Sequence, residues 1–145
     1  MEPFASPDQI DPKLLIFLEE ACEKLCNWFA YTERSAPIPD SIHNIEIAPQ
    51  LHGLSKESLL DDLQLIMDGA YRPSHPGSLA HLDPPPLTSS IVGDLISSGL
   101  NNNLLANELS PSLSNLERQI CLWFSKKLGM PVEAGGVTAS GGTLS

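Results

Sequence analysis

Apolar residues recur at helical spacing in four separate stretches of this chain. In the first, Leu14, Phe17, Leu18, Ala21, Leu25, Trp28 and Phe29 stand three and four apart, while Glu19, Glu20, Glu23 and Lys24 fall largely on the other side. That period marks an amphipathic helix. Asp11-Pro12 starts it well, because Asp caps free amides and Pro suits the first helical position. The pattern predicts a helix over 12–33. Its stripe is wide and ends in aromatic residues, which suits either a core or a face packed on a partner chain.

A second run, Leu59, Leu60, Leu63, Ile66 and Met67, predicts a helix over 56–69, with Ser55 as its cap and Gly69 as its stop. A third, Leu87, Ile91, Leu95 and Ile96, predicts a helix from Leu87 to Leu100 that ends or kinks at Asn101-Asn102-Asn103. For the fourth, Ser110-Pro111 is one start signal. Ser114-Asn115-Leu116-Glu117 fits a capping box, in which Ser takes an orphan amide and Glu reaches back to the cap amide. Leu116, Ile120, Trp123, Phe124 and Leu128 then predict the apolar face of a helix ending near Gly129-Met130-Pro131.

Between the helices the chain is rich in proline. Residues 35–54 hold Pro37, Pro39, Pro49 and Gly53 and predict an extended linker. Residues 71–86 hold five prolines and a glycine, which exclude regular structure, yet the loop carries His75, His81, Arg72 and Asp83. It is either a loop that lines a site or a surface connection stiffened by proline. Val132 to Ala139 reads as a strand-like approach to a small-residue turn, Ser140-Gly141-Gly142-Thr143. The chain as a whole predicts four helices and a terminal strand-turn.

Composition narrows the function classes. The 145 residues are 41% hydrophobic and 18% charged, a globular balance. The net charge is −10 and the eight Lys and Arg are scattered. Nucleic-acid binding is not expected, since phosphate neutralisation needs clustered cations. The odd set Cys22, Cys26 and Cys121 does not make a disulfide framework and suggests reduced, partly buried thiols. Met1-Glu2-Pro3-Phe4 has no signal-peptide character, and no apolar stretch approaches the roughly 20 residues of a membrane span. A cytoplasmic protein is the expectation.

Candidate chemistry is sparse. Glycines allow close approach to an anion, and Ser or Thr adds a hydroxyl donor, so Ser140–Thr143 suits a phosphate. Such runs are also common in plain loops, and the P-loop lysine is lacking. His75, His81 and Asp83 are zinc-ligand types, but their spacing is not a ligand pattern, and no metal is expected. No Gly-x-Ser-x-Gly elbow is present. Cys121 reads as a buried thiol. Trp28, Phe29, Trp123 and Phe124 read as core or interface.

The stretches "YRPSHPGSLAHLDPPP", "GLNNNLLANELSPSLSNLERQICLWFSKKLGMP" and "GGVTASGGTLS", in that order and spacing, resemble the group II pyridoxal-phosphate-dependent decarboxylases, the family of aromatic-amino-acid, glutamate and 2,4-diaminobutyrate decarboxylases. The resemblance covers residues 60–145. It implies an α/β aminotransferase-like fold for the full protein, with this chain its mainly α-helical N-terminal fragment. It implies a dimer-wrapping segment over 1–54 and the start of the decarboxylase domain over 55–145. It further implies a homodimer, an amino-acid substrate and pyridoxal 5'-phosphate as cofactor.

By position, the resemblance assigns Gly142 and Thr143 to the cofactor phosphate, with Ser140 and Gly141 shaping the turn. It assigns His81, Leu82 and Pro84 to the substrate side of the entrance loop. Aromatic-amino-acid decarboxylases have an aromatic pair where this chain has His81-Leu82, and "HLDPPP" is more similar to the bacterial diaminobutyrate branch. The family's Schiff-base lysine, pyridine-pairing aspartate and ring-stacking histidine come after the Gly-Gly-Thr turn. None of Lys13, Lys24, Lys56, Lys126 and Lys127 matches that lysine, so no catalytic residue is assigned. The expectation is a piece of a longer enzyme, through a gene fragment, a split gene or an incomplete reading, inactive in isolation. The alternatives are half of a split decarboxylase and a small acidic helical interaction module.

Overall fold

The computed structural model describes residues 8–30, 32–49, 51–79 and 82–143. Among these, four α-helices form: α1 (Pro12–Ala30), α2 (Lys56–Asp68), α3 (Thr88–Leu100) and α4 (Pro111–Lys127). Short 3-10 turns lie at Thr32–Arg34 and Asn107–Leu109. The chain divides into two compact units, Met1–Pro85 and Pro86–Ser145.

The caps explain most of the helix ends. The Asp11 carboxylate accepts from the amides of Lys13 (2.9 Å) and Leu14 (3.2 Å), so Asp-Pro does open α1. The helix stops at Ala30, short of the expected 33, and the chain tightens into the 3-10 turn. There the Thr32 hydroxyl donates back to the Phe29 carbonyl at 2.9 Å, competing with continuation of the helix. Ser55 Oγ accepts from the Ser58 amide at 3.1 Å, and the Gly69 amide closes α2 on the Leu65 carbonyl at 3.0 Å. Asn101 ends α3 in the left-handed conformation at φ 44°, a role that Asn fills after glycine.

In the first unit α1 packs on α2. Phe17, Leu18, Ala21, Leu25, Trp28 and Phe29 are half-buried, as the stripe predicts, and Leu60 is buried. Leu63 and Ile66, expected on the inner face of α2, are exposed. Lys56 Nζ donates to Glu20 Oε1 at 2.7 Å and ties the two helices. That hydrogen bond raises the Lys56 pKa.

In the second unit the expected face of α4 is reversed. Leu116, Ile120, Trp123 and Phe124 are exposed, whereas Ser114 and Ser125 are buried and Leu113, Glu117 and Cys121 half-buried. Ser114, Glu117, Cys121 and Ser125 lie on one helical face. The expected capping box does not form: α4 begins at Pro111, so Ser114 is inside the helix and its amide bonds the Ser110 carbonyl at 3.0 Å. The pre-set φ of proline makes Pro111 the better first residue. Ser110 is fully buried, and its hydroxyl has no partner among the described residues.

No strand forms among the described residues. The expected strand-like segment 132–139 is irregular, since a strand needs a neighbour to pair its amides and carbonyls. Instead the chain turns at Gly129 (φ 69°), the Met130 amide bonds the Ser125 carbonyl at 2.9 Å, and Thr138 is held by Glu117. Cys22 and Cys26 are exposed free thiols rather than partly buried ones, and Cys121 is half-buried and free. No helix among the described residues is long and apolar enough to cross a membrane.

Leu60 is the one large apolar side chain that is buried among the described residues, while Leu95, Ile96, Trp123, Phe124 and many others are exposed. The purified chain is therefore expected to associate with itself and to bind the dye ANS. Sedimentation velocity over a concentration series checks this; a sharp monomer boundary with cooperative unfolding is the contrary result.

Candidate functional site

Ser140-Gly141-Gly142-Thr143 forms an exposed turn at the far end of the segment that returns along α4. Gly141 has φ 93°, a conformation that L side chains avoid. Its amide donates to the Ala139 carbonyl at 3.1 Å. A Cβ added at Gly142 meets nothing within 4 Å. Two hydroxyl side chains flank the two glycines. These are donor types that a phosphate takes, and the residues fit the phosphate of a cofactor such as pyridoxal phosphate.

Two contacts set where this turn begins. Glu117 Oε1 accepts from the Thr138 hydroxyl at 2.6 Å and from the Thr138 amide at 3.1 Å. Gly136 lies against Cys121 so closely that an added Cβ meets the Cys121 Cβ at 3.1 Å and Sγ at 3.3 Å. The small residues of the inner α4 face thus admit the returning backbone. The Thr138 hydroxyl, then its amide, holds the Glu117 carboxyl below its ordinary value. Sequence reasoning assigned Glu117 to a helix cap and missed this contact. The signal was present as a run of small and polar residues, Ser114, Glu117, Cys121 and Ser125, on one face ahead of Gly135-Gly136.

In the loop after α2, Arg72, His75 and Ser78 use polar groups internally. Arg72 is buried. Its Nη1 donates to the Trp28 carbonyl at 2.9 Å, and its guanidinium lies 4.5 Å from the Trp28 ring centroid. The Arg72 amide donates to the Pro37 carbonyl at 2.9 Å, and Ser78 Oγ donates to the Arg72 carbonyl at 2.7 Å. His75 Nδ1 accepts from the Gly77 amide at 2.8 Å, which leaves the proton of a neutral ring on Nε2. Beside Arg72 is a small open cleft of ≈ 220 Å³ that includes Gln64 and Asp68, already bonded to each other at 3.0 Å.

Of the residues expected on the substrate side, Leu82 and Pro84 are exposed in the first unit. His81 lies outside the described residues. Ser140–Thr143 belong to the second unit. No cluster of three His, Cys, Asp or Glu able to hold a metal occurs among the described residues.

No protein-family model matches the chain. Over 102 residues, 70% of its length, the chain is 30% identical to an L-2,4-diaminobutyrate decarboxylase of Acinetobacter baumannii. The match spans 20% of that curated protein. The chain is thus similar in sequence to part of a decarboxylase, a lyase.

Two outcomes test this geometry. A carboxyl whose folded pKa is depressed stabilises the fold above its unfolded pKa and loses that contribution as pH falls through the folded value. The ordinary value is 4.5, so the Thr138 contact is expected intact at neutral pH and lost below that value. The Thr138 amide resonance, followed by NMR from pH 7 downward, should move with an apparent pKa below that of a free glutamate. In the first unit, Arg72→Ala removes a charged donor and a cation–π contact. Exchange protection of the residue 72 amide is expected to fall about tenfold, equivalent to ~1.4 kcal/mol. Unchanged protection would show that the Trp28 contact does not hold the loop.

Proposed function

We propose that this chain is part of a pyridoxal-phosphate-dependent amino-acid decarboxylase, and that it supplies the start of the cofactor phosphate site and one side of the substrate entrance. The observation that carries this reading is the 30% identity over 102 residues to a decarboxylase. The exposed turn at Ser140–Thr143 supports it, because its hydroxyl donors suit a phosphate and Gly141 takes a conformation that L side chains avoid.

Pyridoxal phosphate, when bound, supplies the electron sink for loss of carbon dioxide. The residues of this chain bind and orient. Thr143 and Gly142 would contact the phosphate, with Ser140 and Gly141 shaping the turn. Leu82 and Pro84, with His81, would face the amino-acid substrate. The apolar side chains of Leu82 and Pro84 would exclude water from the reacting carboxyl group rather than move protons. The full protein has the α/β aminotransferase-like fold in this reading and works as a homodimer in the cytoplasm. The bare Leu14, Leu15 and Ile16 at the start of α1 suit a segment that wraps a second copy.

The bare Trp123 and Phe124 on α4 favour a second reading, a helical module that binds a partner protein. The same experiment separates the two. The native protein, captured from its own cells with antibody to residues 8–143, is assayed for carbon dioxide release from carboxyl-labelled L-2,4-diaminobutyrate, glutamate and aromatic amino acids, with pyridoxal phosphate added. Release from one of them is expected. Captured protein with no release from any, and no cofactor absorption band, overturns the decarboxylase reading. The purified 145-residue chain is expected to give neither release nor band, because none of its five lysines matches the family's cofactor-bearing lysine. Turnover by that chain alone is the contrary result.

A further inference from the structure

We infer that Glu117 is the positioning residue for the Ser140–Thr143 turn, acting through Thr138 rather than by touching a ligand. The inference rests on the reading of that turn as a phosphate site and adds what holds it in place.

Three observations combine. Between Met130, whose amide bonds the Ser125 carbonyl, and the turn itself, the returning segment crosses an irregular stretch with no strand partner among the described residues. It meets α4 closely at Gly136 against Cys121. Two residues later both the hydroxyl and the amide of Thr138 converge on a single oxygen, Glu117 Oε1, at 2.6 and 3.1 Å. Thr138 is two residues before Ser140. A charged acceptor that fixes both a side chain and the backbone of one residue restricts rotation there. Restriction at 138 fixes the starting direction of 140–143.

Position alone does not require a glutamate at 117. α4 has its intrahelical bonds without it, and the side chain is only half-buried, so it is not packing core. The helix would tolerate Ala or Gln. The returning segment would not tolerate Ala, because the Thr138 hydroxyl and amide lose their acceptor at 2.6 and 3.1 Å, while Gln keeps an oxygen acceptor without the charge.

The test uses the 145-residue chain and four variants: Glu117→Ala, Glu117→Gln, Thr138→Val and Thr138→Ser. Backbone amides are followed by NMR without ligand and then with inorganic phosphate. Glu117→Ala and Thr138→Val are expected to shift the amides of 141–143 and to cut exchange protection at residue 138 at least tenfold. Thr138→Ser, which keeps the hydroxyl, should match the wild type, and Glu117→Gln should be intermediate. The amides of 113–127 should not move beyond the immediate neighbours of 117. In the wild type, phosphate should shift the amides of 141–143, with about tenfold weaker affinity in Glu117→Ala.

Unchanged 138–143 amides in Glu117→Ala overturn the inference. So does a disturbance spread equally along α4, which would make Glu117 a support of the helix. If Glu117→Ala displaces the turn but the wild type ignores phosphate, the positioning role stands and the phosphate reading of the turn falls.

Discussion

An extended segment cannot satisfy its own backbone. A helix pairs its amides and carbonyls internally, but residues 130–139 run beside α4 with no second strand to pair with among the described residues. The structure depends on how that requirement is met. The Ser125 carbonyl takes the Met130 amide, and the Glu117 carboxylate takes the Thr138 amide and hydroxyl. Both acceptors lie on the same face of α4, two and more turns apart, so the segment is laid along the helix.

That solution dictates which face of α4 turns inward. Close approach of a backbone needs small side chains, and Ser114, Cys121 and Ser125 supply them on the face that also carries Glu117. A helix has one inner face in a given contact. Once the small and polar face is used, Leu116, Ile120, Trp123 and Phe124 are on the outside. Trp123 and Phe124 pack edge to face on each other, with ring centroids 4.8 Å apart, but this covers only part of either ring. The exposed apolar stripe of α4 is thus a consequence of holding the returning segment.

The helices themselves were legible in the sequence, and their ends were legible wherever a cap is a local event. Asp11-Pro12, Ser55, Gly69 and Asn101 act on amides or carbonyls within four residues, so the information is in the immediate neighbours. The orientation of α4 was not legible. Hydrophobic periodicity finds a stripe but does not say whether that stripe meets this chain, and here a contact over 21 residues, Thr138 to Glu117, decided it. The same distance in sequence hid the role of Glu117, since Ser114-x-x-Glu117 satisfies a local pattern that Pro111 pre-empts. In the loop after α2 the polar residues were visible, but their use was not. Arg72 finds its partner 44 residues away at Trp28.

The internal use of Arg72 and His75 has a bearing on the proposed chemistry. A guanidinium that donates to the Trp28 carbonyl and covers its ring would have to break both contacts to meet a substrate carboxylate. A histidine whose Nδ1 holds the Gly77 amide has only Nε2 left for other work. At Leu82 and Pro84 the loop presents apolar groups, on either side of the exposed Asp83. What the turn can present at 140–143 is hydroxyl and backbone. The side chains of Leu82, Pro84, Ser140 and Thr143 do not transfer protons near neutral pH. In a decarboxylase these four residues would therefore act on binding and orientation. Changes at Leu82, Pro84 or Ser140–Thr143 should alter substrate and cofactor affinity before they alter the pH profile of the chemical step, which belongs to groups of a different kind.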